Sequence, residues 1–154
     1  MITIYTDGAS VGNPGPGGWG AIIIDDDDTV REIGGGETHT TNNKMELTAV
    51  IRALKSISTS EAVIYTDSEY VLKGITEWIH RWQQKNWKTA GRKPVLNQDL
   101  WQELLTLTQD KKLNWKLVRG HSGIPLNERC DEIATEFANG IKPVLYHGPR
   151  DKYR

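Results

Sequence analysis

The feature that most constrains the fold is a change of hydrophobic pattern within the 154-residue chain. Three β-type segments, separated by Gly, Pro and Asp turns, come before Gly36. After Gly36, apolar residues recur at helical spacing, and two short strands interrupt the helices. The predicted strands are 2–7, 19–24, 29–33, 62–66 and 113–118, and the predicted helices are 43–57, 69–84, 99–107 and 127–139.

This order predicts an α/β fold with one mixed, five-stranded sheet flanked by helices. Strands joined by short connections pair as an antiparallel meander. Strand–helix–strand order requires parallel pairing through crossovers. Since no linker divides the chain, we expect one domain over residues 1–140, followed by a basic tail over 141–154 that frays.

Composition excludes several classes of protein. A hydrophobic content of 37% lies well above that of disordered chains. No apolar run reaches the roughly 20 residues of a membrane span, and the N-terminus does not resemble a signal peptide. Cys130 is the single cysteine, which excludes an internal disulfide and suits a reducing compartment. We therefore expect a cytoplasmic protein that makes no contact with a membrane.

Positive charge is concentrated in one stretch, although the net charge is only −1. Residues 78–98 contain five cations and no acid, and three tryptophans lie among them. Such a stretch can bind phosphates with its cations and sugars or bases with its rings. Alternatively, Trp78 and Trp82 share a helix face and belong to the core. The residues concerned are Trp78, Arg81, Trp82, Lys85, Trp87, Lys88, Arg92 and Lys93.

A four-residue repeat suggests a functional site. Ile-Tyr-Thr-Asp occurs at residues 4–7 and again at 64–67, each time as a short apolar strand that ends in an aspartate. Ligands of open α/β sheets bind beyond the carboxyl ends of strands. Singly, Asp7 could be a turn residue and Asp67 a helix N-cap. As a matched pair, they favour a site in which both carboxylates lie at one sheet edge.

Glu46 is the third candidate carboxylate. It could complete a capping box with Asn43. It also shares the inward helix face of Val50, Ala53 and Ile57, where a carboxylate needs a cation or several donors. Oxygen ligands without neighbouring Cys or His favour Mg²⁺ or Mn²⁺, and clustered carboxylates are typical of two-metal phosphodiester hydrolysis.

Two further residues are ambiguous by local pattern. Asp131 begins the last helix, and nothing local distinguishes it from Glu128 or Glu132. His121 lies in a Gly-rich loop, where a histidine is either a bystander or a proton shuttle near a metal site.

An ordered set of motifs resembles the bacterial type 1 ribonuclease H family over residues 2 to about 139. No motif is decisive alone, but their order is highly specific. The motifs are YTDG at 5–8, NPGPGGWG at 13–20, TTNNKME at 40–46, TDS at 66–68, GITEWI at 74–79, NWKT at 86–89, DLW at 99–101, GHSG at 120–123 and NERCD at 127–131.

The resemblance implies a monomeric, metal-dependent endonuclease that cuts the RNA strand of RNA–DNA hybrids and leaves 5′-phosphate and 3′-hydroxyl ends. It implies that four carboxylates bind two Mg²⁺ ions, or Mn²⁺, and that His121 assists turnover. It implies contacts to RNA 2′-hydroxyls, to the DNA strand and, through a basic protrusion over residues 81–93, to the hybrid backbone. The implied metal ligands are Asp7, Glu46, Asp67 and Asp131, and the implied substrate contacts are Gly8, Ser10, Asn13, Thr41, Asn42, Trp78, Trp82, Lys85 and Lys88.

Two alternatives stay open at this stage. Related folds include metal nucleases that act on DNA, against which the protrusion and the residues at 13 and 41–42 argue. A non-catalytic hybrid-binding module would lack carboxylates that are present here. Fold alone does not decide between these functions.

Overall fold

A computed structural model of the chain describes residues 1–118 and 125–153. It contains one six-stranded sheet in the order β5-β4-β1-β2-β3-β6. The strands are β1 (Ile2–Ser10), β2 (Gly15–Ile24), β3 (Thr29–Thr40), β4 (Glu61–Thr66), β5 (Lys112–Leu117) and β6 (His147–Pro149). The α-helices are α1 (Asn42–Lys55), α2 (Glu69–Lys73), α3 (Ile79–Gln84), α4 (Gln98–Thr108) and α5 (Pro125–Ala138).

The predicted mixed sheet is confirmed. Strands β1, β2 and β3 form an antiparallel meander, whereas β4 pairs parallel to β1 and β5 pairs parallel to β4. The parallel half therefore places Asp7 beside the carboxyl end of β4, where the sequence predicted a site, although β1 itself continues to Ser10 instead of ending at Asp7.

The sheet has one strand more than the five that we expected. Residues 147–149, in the tail predicted to fray, pair antiparallel with the start of β3 as β6. A three-residue strand is too short to show a hydrophobic period, so the pattern could not reveal it. Contacts with β3 and α5, described below, hold this segment on the body of the protein.

Helices cover both faces of the sheet. On one face, α1 packs through Leu47 and Val50 against a core that includes Ile4, Ile23 and Ile64. On the other face, α5 packs through Cys130 against a smaller cluster of strand residues, among them Ile22, Ile24 and Val30. In the part of the chain that the structure describes, no helix is long and apolar enough to span a bilayer.

The predicted helix over residues 69–84 contains a π-helical turn. Helices α2 and α3 are joined by residues Gly74–Trp78 in this wider geometry. The turn lies against the buried Trp101, so closely that an added Cβ on Gly74 would be 2.0 Å from Cη2 of that ring. Single π-helical turns of this kind are frequent at functional sites.

Candidate active site

The repeated Ile-Tyr-Thr-Asp segments are direct neighbours in the sheet. Strands β1 and β4 pair in a register that puts Thr6 opposite Thr66, and the rings of Tyr5 and Tyr65 stack at 4.6 Å. Each aspartate follows one residue later, so Asp7 and Asp67 lie at the same edge. Asp7 is only 4% exposed, and Asp67 is half-buried.

Helix α1 brings Glu46 to these aspartates. The helix backbone lies so close to β1 that a Cβ added to Gly8 would be 2.4 Å from the Glu46 nitrogen. Glu46 is 6% exposed, and carboxylate oxygens of Asp7, Glu46 and Asp67 all lie within 4.8 Å of one another. Glu46 does not cap the helix N-terminus. The helix N-cap is Thr41, whose hydroxyl accepts a hydrogen bond from the Lys44 N–H.

Burial and neighbouring charges raise the pKa values of all three carboxylates. Burial, then the charges of Asp67 and Asp131, raises the pKa of Asp7 to about 8. Burial, then the charges of Asp7 and Asp67, raises the pKa of Glu46 well above its usual value. Burial also raises the pKa of Asp67, although hydrogen bonding with Asp7 and Glu46 offsets part of this effect. In the ionised state, this cluster therefore needs positive charge nearby.

The cluster fits divalent cations. Glu46 Oε1 and Asp67 Oδ1 are buried, and neither atom has a hydrogen-bond partner among the described residues. These acids line a cleft, and the described residues around it include no Lys, Arg or His that could neutralise them. Carboxylate oxygens without nitrogen or sulfur ligands are the donor set that Mg²⁺ and Mn²⁺ prefer.

Helix α5 closes the other side of a cleft of about 260 Å³. Asp131 is exposed and faces this cleft, which the local sequence pattern could not predict. Asn127, one helical turn earlier, also lines the cleft and was not selected from the sequence. It is 4% exposed, and within the part of the chain that the structure describes its Oδ1 atom has no hydrogen-bond partner. The i, i+4 spacing to Asp131 was the one available signal for Asn127.

Several of the other predicted substrate contacts lie near this cleft. Gly8 and Asn42 line it, and Asn13 Oδ1 accepts a hydrogen bond of 3.0 Å from the Asn42 N–H. This bond joins the β1–β2 turn to the start of α1. Ser10 is the last residue of β1, three positions beyond Asp7. His121 lies outside the described residues.

Residues 85–97 connect α3 to α4 and contain the cations of the predicted protrusion other than Arg81. Within this segment, the Thr89 N–H donates to the Lys93 carbonyl at 2.8 Å, and the Val95 N–H donates to the Trp87 carbonyl at 3.0 Å. The four cations of this segment are exposed, and so is Arg81 just before it. The four are Lys85, Lys88, Arg92 and Lys93.

The tryptophans of this region are packed rather than free. The Trp82 ring lies 5.2 Å from the buried Trp101, 6.0 Å from Trp78 and 6.1 Å from Trp87. Trp78 is half-buried and also contacts Tyr70. The rings therefore pack with the core, as one of the two sequence interpretations predicted, while binding of nucleic acid by the exposed cations stays a prediction.

Comparisons with known proteins agree with this geometry. A family model described as RNase H matches residues 1–139. The ribonuclease H of Cyanothece sp. is 57% identical, covering 92% of each chain. That of Thermosynechococcus vestitus is 58% identical over 89% of this chain and 88% of its own.

Solved structures are similar over nearly the whole fold. LC9-RNase H1, a type 1 RNase H with the type 2 active-site motif, superposes with a TM-score of 0.82 at 32% identity, covering 98% of this chain and 79% of that one. LC11-RNase H1, solved in complex with an RNA/DNA hybrid, superposes with a TM-score of 0.67 at 26% identity, covering 91% and 98%.

Proposed function

Because this chain belongs to the ribonuclease H family, we propose that it hydrolyses the RNA strand of RNA–DNA hybrids as a metal-dependent endonuclease. The observation that carries the proposal is the cluster of three carboxylates within 4.8 Å, two of them with a buried oxygen that lacks a partner. A similar fold has been solved with an RNA/DNA hybrid, which supports the substrate.

The proposed metal ligands are Asp7, Glu46, Asp67 and Asp131, which would hold two Mg²⁺ or Mn²⁺ ions. When bound, such ions lower the pKa of the attacking water and stabilise the leaving oxygen, which gives 5′-phosphate and 3′-hydroxyl ends. The chain keeps the carboxylates of Asp7, Glu46 and Asp67 within 4.8 Å of one another, where burial strengthens their interaction with cations. His121 is proposed to move a proton during turnover.

The proposed recognition of RNA depends on the β1–β2 turn and on the start of α1. Gly8, Ser10, Asn13 and Glu46 would lie near 2′-hydroxyls, the groups that distinguish RNA from DNA. Thr41, Asn42 and Trp78 would face the DNA strand. The hydrogen bond between Asn13 and Asn42 supports this proposal, because it joins the segment that would contact RNA to the segment that would contact DNA. We also propose that the protein is a monomer and is located in the cytoplasm.

Cleavage should be confined to RNA paired with DNA and should require a divalent cation. The test is a labelled RNA–DNA hybrid beside duplex DNA, duplex RNA and single strands, each with Mg²⁺ and with chelator. We expect products only from the hybrid with Mg²⁺, carrying 5′-phosphate ends. Cleavage of duplex DNA would favour a DNA nuclease, and a 2′,3′-cyclic phosphate would contradict metal-dependent hydrolysis.

Removing the cations of the protrusion should weaken binding and leave the chemical step nearly unchanged. Their proposed partners are phosphates remote from the scissile bond. With Lys85, Lys88, Arg92 and Lys93 replaced by Ala, we expect a higher KM, an unchanged kcat and a shallower salt dependence of affinity. Each lost phosphate contact should reduce the slope of log K against log salt by about 0.7–0.9.

The matched control removes the same charge elsewhere. Replacing four other exposed lysines by Ala changes the net charge equally but leaves the protrusion intact. The control slope should stay at the wild-type value. Equal slopes in all three proteins would show that the protrusion does not bind the hybrid. The control positions are Lys55, Lys73, Lys112 and Lys142.

A further inference from the structure

A buried carboxylate joins the chain's C-terminal tail to the helix that carries Asp131. Glu32, on β3, is 2% exposed at its side chain and accepts two hydrogen bonds from Arg129 of α5, at 2.8 and 3.1 Å. It also accepts one from the Tyr146 N–H at 2.9 Å and one from the Tyr153 hydroxyl at 2.6 Å. These four residues are called the Glu32 cluster below.

The cluster is a strong, directional link. Burial alone would raise the pKa of Glu32, but the hydrogen bonds from Arg129, Tyr153 and Tyr146 bring it below its usual value. The carboxylate is therefore ionised when buried, and each of its donors is charge-assisted. Arg129 also donates to the Val144 carbonyl, so the tail and α5 contact each other directly as well.

The remaining contacts of α5 with the sheet are close but lack direction. Glycines of β2 and β3 face the helix, so that a Cβ added to Gly18 would be 2.3 Å from the Ala134 carbonyl oxygen. One added to Gly20 would be 2.9 Å from the Cys130 carbonyl oxygen, and one added to Gly34 would be 2.7 Å from Ile133. These packing contacts are non-directional, whereas the paired hydrogen bonds from Arg129 to Glu32 fix a direction.

Asp131 depends on α5 in a way that the other carboxylates do not. Asp7 lies within β1 and Asp67 follows β4, two strands that are paired with each other, and Glu46 is buried against β1. Asp131 is exposed on a helix outside the sheet, two residues from Arg129. A shift or rotation of α5 would therefore move Asp131 relative to the other three carboxylates.

We propose that the Glu32 cluster holds α5 in place along the sheet and thereby positions Asp131 for metal binding, which makes Glu32, Arg129 and Tyr153 positioning residues. The inference rests on the proposed role of Asp131 as a metal ligand. It gives the C-terminal tail a role in the active site that is exerted through α5.

The test compares two single-atom deletions in adjacent rings. Tyr153→Phe removes the hydroxyl that bonds Glu32, whereas Tyr146→Phe removes one that bonds only the Pro149 carbonyl within the tail. The two rings lie 5.0 Å apart and both remain, so packing is matched. Affinity for Mg²⁺ is measured by calorimetry without nucleic acid, and the Mg²⁺ dependence of hybrid cleavage is measured separately, beside the melting temperature.

We expect Tyr153→Phe to weaken Mg²⁺ binding by about threefold to tenfold, below the full effect of removing a group that bonds a metal ligand directly. Cleavage should return to the wild-type kcat at saturating Mg²⁺. Glu32→Gln should weaken Mg²⁺ binding further, and Tyr146→Phe should bind like wild type. A general loss of stability would lower the melting temperature of both Phe variants without separating their Mg²⁺ affinities.

The outcomes distinguish this inference from the proposed function. If wild type binds Mg²⁺ and cleaves the hybrid, but Tyr153→Phe and Tyr146→Phe give the same Mg²⁺ affinity, the positioning role is overturned while the function stands. If wild type shows neither Mg²⁺ binding nor metal-dependent cleavage, the proposed function is overturned, and the inference with it.

Discussion

Asp7→Asn should abolish cleavage and at the same time stabilise the metal-free protein. Asn has nearly the same shape but lacks the charge that holds a divalent cation. Since metal ions contribute several kcal/mol to transition-state stabilisation, we expect activity to fall by about 10³-fold or more. Activity is measured on labelled hybrid with saturating Mg²⁺, and stability by urea unfolding in chelator.

The stability gain follows from the pKa of Asp7. Its folded value of about 8 lies above the ordinary value of 3.8, so in this pH range the folded protein binds more protons than the unfolded chain. The free energy of unfolding of the metal-free wild type should therefore fall as pH rises from about 4 to 8. In Asp7→Asn this loss should be smaller, giving a gain of about 1–2 kcal/mol at neutral pH.

Asp110→Asn is the matched control, because that side chain is 82% exposed and lies on the surface beside Lys111. It makes the same chemical change and should leave both activity and the pH dependence of stability at wild-type values. Wild-type activity in Asp7→Asn would remove Asp7 from the proposed metal site.

Gly8→Ala should destabilise the fold and disrupt the carboxylate cluster together. The added Cβ would lie 2.4 Å from backbone atoms of Met45 and Glu46, which cannot move without displacing α1 from β1. Overpacking costs typically 1–3 kcal/mol, and we expect the upper end, about 3 kcal/mol, because the clash is with backbone. Moving Glu46 by about 1 Å should also lower kcat about 10²-fold.

Gly91→Ala provides the control for this substitution. An added Cβ there meets only the Thr89 hydroxyl, at 3.9 Å, so the change should be close to neutral. Both variants are compared by urea unfolding and by cleavage well below their melting temperatures. If Gly8→Ala retained wild-type stability and kcat, the close approach of α1 to β1 would not be what holds Glu46 in the cluster.

Much of the site could be predicted from short-range pattern. The resemblance to ribonuclease H is confirmed by the family match over residues 1–139. The repeated Ile-Tyr-Thr-Asp segments predicted that Asp7 and Asp67 would share a sheet edge, and the parallel register of β1 and β4 brings them together. That inference succeeded because strand direction and the alternation of side chains are local properties of the chain.

Local pattern left Glu46 and Asp131 ambiguous, and from the sequence only the resemblance to ribonuclease H selected them. For Glu46, the capping box and the inward helix face were competing interpretations. Because α1 lies close to Gly8, the Glu46 side chain is buried on the inward helix face, and Thr41 is the N-cap of the helix. For Asp131, local pattern could not separate it from Glu128 or Glu132. The position of α5 over the sheet brings Asp131 and Glu128 to the cleft, and Glu132 is not among the residues that line it.

What the sequence determined by itself was the order of strands and helices, the direction of their pairing and the chemistry available at one sheet edge. These follow from hydrophobic period and chain connectivity, which act over a few residues or one crossover. Only the tertiary structure decided that the tail adds β6, that Glu32 joins this tail to α5, and that burial and neighbouring charges raise the pKa values of the clustered acids. Those outcomes depend on burial and on distances between residues far apart in the chain, such as the 121 positions between Glu32 and Tyr153. No local pattern records such distances.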